Sequence, residues 1–325
     1  MIIEQFEVGM LHYTGWKRIK FSWFFVIFTL MLSAEVSLAS ETSANGLTLV
    51  IGSVSNNPKK HYSYLKPLAD YVVSHMGDLS YTQAKVLMAK DNKQMIRLLR
   101  KGKIDWITET PFSAMLFHKK TGAELLVRKW KKGVPEYHSV FFVRKDSGID
   151  KLADLQGKVI AFEDPGSTSS FYIPAYILIQ LGIKLVELES PREQAPQDYL
   201  GFVFSNQEIN SSTWVHKGIV DVGVFSNLNW DKDSQNPKIF KSDLKIIHKS
   251  NNYPRAVELL RKELPDSVKQ RIKELLLNAH NDPQAALALQ SYQQTKKFDE
   301  LTESNLNFLE ELISIMKTVD EELDR

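Results

Sequence analysis

Four consecutive hydroxyl residues, Ser167-Thr168-Ser169-Ser170, follow the turn Asp164-Pro165-Gly166 and precede an apolar stretch that ends at Gly182. A short apolar strand, Lys158 to Phe162, leads into them. The first turn of a helix carries backbone N–H groups without internal partners and the positive end of the helix dipole. Hydroxyls beside those N–H groups suit an oxyanion. Pro174 cannot donate a backbone hydrogen bond, so it belongs in the first turn of that helix, which places the start near Ser170 and leaves Gly166 to Ser169 as a loop. The competing reading of the same residues is an ordinary Ser/Thr N-cap.

Other polar residues fall where strands give way to helices. Glu109-Thr110-Pro111 combines a carboxylate with a strong helix start, an N-cap followed by proline at the first helical position. Ser205-Asn206-Gln207-Glu208 reads either as a capping box, with Glu208 bonding back to the N-cap N–H, or as a ligand contact. Asp105 and Asp221 each close a Gly-x-x-Asp step from helix to strand, where a carboxylate often satisfies local N–H groups. Tyr62 and Tyr64 stand near the start of the first helix. The eight histidines have no metal-ligand spacing, so no metal site is expected, and no cofactor. The chain has no cysteine, which removes thiol nucleophiles and Cys-ligated metals. It lacks Gly-x-Ser-x-Gly, His-Glu-x-x-His and the P-loop lysine, so binding is expected rather than catalysis. An enzyme using Glu109, Glu208 and Asp221 as acid and base would lack a nearby nucleophile.

The elements that must position these residues alternate. Strands are expected at 47–54, 86–89, 104–107, 138–144, 158–162, 200–204, 220–225 and 244–248. Helices are expected at 63–76, 93–100, 110–121, 170–181 and 206–217. This order predicts an α/β architecture. Two alternating sets, joined near Arg144 and again near 225–229, predict two lobes with a ligand between them at the carboxyl ends of the strands. The tail turns helical: Phe308, Leu312, Met316, Val319 and Leu323 form one stripe, which packs on the first lobe or makes a homodimer contact.

At 325 residues, 43% of them hydrophobic, the chain can build two cores, and a formal charge of +2 gives no reason to expect a nucleic-acid or membrane-surface partner. Lys17, Arg18 and Lys20 precede an apolar run from Phe21 to Leu32, and Ser37-Leu38-Ala39 supplies small residues before Ser40. This is the pattern of a cleaved export signal over 1–39, with Met10 as an alternative start. With no cysteine to carry lipid, the mature protein is expected free in a periplasm rather than as a lipoprotein.

Phe162-Glu-Asp-Pro-Gly-Ser-Thr-Ser-Ser with Pro174 resembles the signature loop of the periplasmic phosphonate-binding proteins of ABC transporters. Ser139-Val-Phe-Phe-Val-Arg-Lys-Asp-Ser-Gly-Ile149 and the two Gly-x-x-Asp steps fit the same family, over roughly residues 47–286. The resemblance implies a two-lobe type II periplasmic binding fold: lobe 1 from 40–141 and 240–325 with the C-terminal helices, and lobe 2 from 142–239. It implies a small oxyanion of phosphonate, phosphate or phosphite type, held on Ser167, Thr168 and Ser169 by closure of the lobes and delivered to an inner-membrane ABC permease. A ligand-sensing subunit feeding a membrane receptor is the alternative. Asp221 matches a family carboxylate at the ligand's other end, and Tyr62 or Tyr64 matches a family tyrosine. Glu109 and Thr110, at a strand end, and Glu208 complete the candidate contacts. Two departures stand out. Gln207-Glu208 occupies the place of a family Ser-His pair, and Glu109 stands where a small or hydroxyl residue is common.

Overall fold

The structure, a computed structural model, describes residues 46–55 and 57–324; the expected export signal lies outside them. The first stretch forms β1 (Leu47–Val54), α1 (Pro58–Ser74), β2 (Tyr81–Ala89), α2 (Asn92–Arg100), β3 (Trp106–Glu109), α3 (Pro111–Thr121) and β4 (Glu124–Lys129). The middle forms β5 (Glu136–Tyr137), β6 (Ser139–Arg144), β7 (Val159–Phe162), α4 (Ile173–Gln180), β8 (Lys184–Glu187), β9 (Tyr199–Phe204), α5 (Glu208–His216), β10 (Val222–Ser226), α6 (Asn227–Trp230), α7 (Lys238–Asp243) and β11 (Leu244–Lys249). The last stretch forms β12 (Tyr253–Pro254), β13 (Val257–Leu260), α8 (Asp266–Asn278), α9 (Ala286–Ser291), β14 (Phe298–Asp299) and α10 (Glu303–Glu322).

Two six-stranded mixed sheets result, ordered β14-β4-β13-β3-β1-β2 and β11-β6-β10-β7-β9-β8. In the first, β1 pairs parallel with β2 and β3, and β13 returns antiparallel between β3 and β4. In the second, β7 pairs parallel with β9 and β10, while β6 runs antiparallel to β10 and β11. Helices cover both sheets because each buries an apolar stripe. Leu65, Leu68 and Val72 of α1 meet Leu49 and Ile51 of β1, and Phe171 and Leu178 meet Ile160, Phe162 and Phe202. Helix α1 starts at Pro58 rather than Ser63. Asn57 caps it by accepting from Lys60 N, and Pro58 pre-sets the first turn, so Pro67 ends up inside the helix.

The chain passes between the sheets twice, between Lys129 and Ser139 and between Lys249 and Val257. At these crossings β5 and β12 pair antiparallel, Tyr253 with Tyr137 and Pro254 with Glu136. Both β6 and β11 therefore belong to the second sheet. The crossings lie outside Ser139–Lys249, not at the expected 142 and 239, because β6 and β11 complete the second sheet by antiparallel pairing that no local sequence pattern announces. The C-terminal stripe is covered within the chain. Leu309, Leu312, Ile315, Met316 and Val319 of α10 are buried, packed on α3 and α4. Tyr172 Oη donates to Asp320 Oδ1 at 2.9 Å. That stripe thus bridges helices flanking both sheets, which is the packing alternative of the two expected for it.

Candidate anion-binding site

The hydroxyl loop folds as its proline requires. Ser167 Oγ accepts from Ser170 N at 3.1 Å, and residues Thr168–Tyr172 make one wide π-type turn before α4 begins at Ile173. Pro174 has no N–H for the carbonyl of Ser170, and Glu163 N takes that acceptor instead at 3.4 Å. Helical backbone thus starts at Thr168, two residues before the expected Ser170. The loop is anchored on three sides. Phe112 N, in the first turn of α3, donates to Thr168 Oγ1 at 2.9 Å. Ser139 Oγ donates to the Ser169 carbonyl at 2.7 Å and also meets Tyr253 Oη. Tyr137 lies beside the Ser169 and Thr168 hydroxyls, which counter the rise that burial gives its own hydroxyl.

Across from the loop, the ends of β1 and β3 hold a buried carboxylate. Glu109 Oε1 accepts from Val54 N at 2.7 Å and from Ser53 Oγ at 3.0 Å. Burial pushes its carboxyl up from the usual range, against the pull of those two donors and of Lys131 and Lys129. Glu109 and Thr110 line a cavity of about 90 Å³ with Ser53, His61, Lys131 and Gln293. His61 Nδ1 bonds Ser55 Oγ, and burial lowers its imidazole, favouring the neutral ring.

Cations gather around this cavity. Lys129 is fully buried. It reaches Thr108 Oγ1 at 3.2 Å and Gln293 Oε1 at 3.0 Å, lies 3.9 Å from Glu258, and is pushed down by burial to about 8. The Lys131 ammonium is held well below its usual range by desolvation, then by Arg255 and Lys129. The Arg255 guanidinium stacks 4.5 Å over the Tyr137 ring, and its Nε is buried without a hydrogen-bond partner. Among the described residues neither Lys131 nor Arg255 has an acidic partner within ion-pair distance.

Carboxyls occupy the second-sheet side. Glu163 is pushed up to about 8, first by burial and then by Glu208 and Asp164. Near neutral pH it therefore carries its proton and can donate. Glu208 Oε1 accepts from Asn229 Nδ2 at 2.6 Å. The expected capping box does not form: Asn206 turns left-handed at φ 63°, so Gln207 becomes the N-cap and Ser205 Oγ bonds Ser211 Oγ and the Gln207 carbonyl.

The structure thus brings Thr168 and Ser169 against α3 and Tyr137, and places Glu109 and Thr110 in the cavity. Ser167 is occupied as an N-cap. Tyr64 sits edge-on to His61, whereas Tyr62 is 47% exposed to solvent. Asp221 lies at the other end of its sheet. Its Oδ2 accepts from Val159 N at 2.9 Å, at the start of the strand whose far end carries the hydroxyl loop. Asp105 does the same for Val50 N at 3.0 Å and pairs with Arg261 at 2.9 Å. Lys131 and Arg255 escaped sequence reasoning because Lys131 is one of four basic residues within 128–132 that local sequence does not tell apart, and Arg255 is a single cation in a connecting segment with no motif around it.

A family model described as the phosphonate periplasmic substrate-binding protein of ABC transporters matches residues 51–306. The "Phosphonates-binding periplasmic protein" of Escherichia coli (strain K12) is 25% identical over 269 residues, 81% of this chain and 75% of that protein. XAC2383 from Xanthomonas citri, solved with chloride and with ATP, is 35% identical, with TM-scores of 0.81 and 0.80. The match covers 85% of this chain and 99% and 98% of those chains. PhnD1 from Prochlorococcus marinus in complex with methylphosphonate shares the fold, at 17% identity and a TM-score of 0.62 over 83% of this chain and 98% of that one. Since the family model spans well over half of its length, the chain belongs to the phosphonate-binding periplasmic proteins of ABC transporters.

Proposed function

We propose that the protein captures a small phosphorus oxyanion between its two sheets and hands it to an ABC permease, without covalent chemistry. The observation that carries this reading is the pair Lys131, which lines the polar cavity, and Arg255, whose Nε is buried without a hydrogen-bond partner; among the described residues neither has an acidic partner within ion-pair distance. Both side chains are partly withdrawn from water, and an anion between them would pair with the Arg255 guanidinium and favour the charged form of Lys131. The Thr168 and Ser169 hydroxyls, the Tyr137 hydroxyl and the protonated Glu163 would supply neutral donors from the hydroxyl loop and its neighbours. They can hold an oxyanion without adding charge. Glu109 is tied to Val54 N and Ser53, which turns its Oε1 toward protein donors. The antiparallel pair β5–β12 is the only link between the sheets made of paired strands among the described residues, and we assign it as the hinge. Thr168 Oγ1 already accepts from Phe112 N in the first turn of α3, a bridge that opening on this hinge would break.

The test is a thermal-shift panel of phosphate, phosphite, methylphosphonate, sulfate and acetate on the chain from Ser40 onward. A ligand at 100 times its Kd stabilises by about 2.7 kcal/mol. A phosphorus oxyanion is expected to raise Tm, and Arg255→Met is expected to abolish the shift while leaving the unliganded Tm equal or higher. An unaltered shift in that variant would remove Arg255 from the site.

A further inference from the structure

The small cavity is flanked by two larger grooves that share its walls, and the grooves differ in charge. One, of about 880 Å³, shares Glu109, Thr110 and His61 with the cavity, and its Lys90 and Lys93 are balanced by Asp91 and Asp164. The other, of about 690 Å³, shares Lys131 and Gln293 with the cavity. Its walls add Lys60, Lys132, Tyr64 and Gln294 and include no acidic residue. Among the described residues, none of Lys60, Lys131 and Lys132 has an ion pair. Lys60 lies 5.9 Å from the Tyr64 ring centroid.

The backbone of this second groove is also unusual. Lys132, Gln293 and Gln294 have φ of 55°, 58° and 56°, three of the six non-glycine left-handed residues among those described. Such conformations persist only where surrounding structure enforces them, and they concentrate at binding sites. Here Lys132 N donates to the Gln293 carbonyl at 3.2 Å, which locks the two segments together. The lock holds Lys131 and Lys132 beside Gln293 and Gln294, and Lys60 of α1 lines the same opening.

Resting on the reading of the cavity as an oxyanion site, we infer that the lysine groove takes a second phosphoryl group of the same ligand. The cargo is then a diphosphate-bearing molecule rather than a single phosphonate. Its terminal group occupies the small cavity and the next phosphoryl group meets Lys60 and Lys132. Lys131, on both walls, bridges the two. The balanced groove on the other side offers no such preference for a second anionic group. Tyr64 and the glutamine amides line the path onward, where a neutral body attached to the diphosphate would lie.

Calorimetric titration with methylphosphonate and with pyrophosphate tests this, on the chain from Ser40 onward and on the variant Lys60→Ala/Lys132→Ala. Pyrophosphate is expected to bind at least about tenfold more tightly than methylphosphonate, a difference of about 1.4 kcal/mol. The double variant is expected to lose that advantage while keeping its methylphosphonate affinity and its Tm. Methylphosphonate binding without a pyrophosphate advantage would overturn the second subsite and leave the oxyanion site standing. A pyrophosphate advantage that survives in the double variant would overturn the groove as its location. Binding of neither anion would overturn both readings.

Discussion

Asp221 and Asp105 show how one residue type at one spacing can serve the fold instead of the ligand. Each carboxylate accepts from a backbone N–H of a neighbouring parallel strand, Asp221 from Val159 at the start of β7 and Asp105 from Val50 within β1, just before its own strand begins. Asp221→Ala strands the Val159 N–H and is expected to lower stability by about 1–3 kcal/mol in a urea titration. Its anion affinity, measured by calorimetry, should stay unchanged. Glu163 is the opposite case, a carboxyl whose environment favours its neutral form. It keeps its proton up to about pH 8 in the folded chain and loses it near its usual value of 4.5 when unfolded. Between those values the native state binds more protons than the unfolded state, so this group makes stability fall as pH rises from about 4.5 to about 8. Thermal melts across that window are expected to show a decline in Tm that Glu163→Gln flattens, because the amide has no proton to lose. A variant with the same slope as the parent would place the titration elsewhere.

At the scale of elements, Pro174 and α10 have consequences beyond their own segments. Pro174 leaves the Ser170 carbonyl free for Glu163 N, and the resulting wide turn sets Thr168 against α3. Helix α10 closes the opposite side. Thr302 Oγ1 accepts from Asn305 N and the Asn305 side chain accepts from Thr302 N, a reciprocal cap that starts the helix firmly. Its apolar stripe then lies on α3 and α4, and Phe308 stacks on Tyr253 at 5.4 Å between centroids. A chain ending at Thr302 would expose the matching faces of α3 and α4. It is expected to bind a hydrophobic dye and to melt at least about ten degrees lower, since each buried Leu, Ile or Val contributes about 1.5–3 kcal/mol. A truncated chain with the parent's Tm and no dye binding would contradict the burial described for α10.

For the whole molecule, function depends on two sheets that meet through the β5–β12 pair and through side-chain bridges such as Phe112 N to Thr168 Oγ1. Phe112 and Tyr172 also stack across that junction, with centroids 3.9 Å apart. If closure traps the ligand, small-angle scattering should show a smaller radius of gyration with a bound oxyanion than without. Thr168→Val, which removes the acceptor for Phe112 N, should weaken both the compaction and the affinity. Identical scattering curves with and without a saturating ligand would exclude closure as the capture step.

Local sequence was enough for most of the alternation of strand and helix, though not for β4 or β8, because the period-3.6 stripes and helix-start signals such as Thr110-Pro111 act within a few residues. It put the hydroxyl run at a helix start but two residues late, because the wide turn over Thr168–Tyr172 is completed by Glu163 N from outside the segment. It did not reveal β13 and β14, which join the first sheet after the chain has left the second. These strands are four and two residues long, and only pairing with β3 and β4 makes them strands. Nor did it reveal the placement of Arg255 beside Tyr137 or of Lys131 beside Glu109. Those residues are far apart in the chain and come together only when β5 pairs with β12 and β4 with β13. A charge becomes a binding group when its neighbours remove water and withhold a counter-ion, and tertiary packing alone decides both.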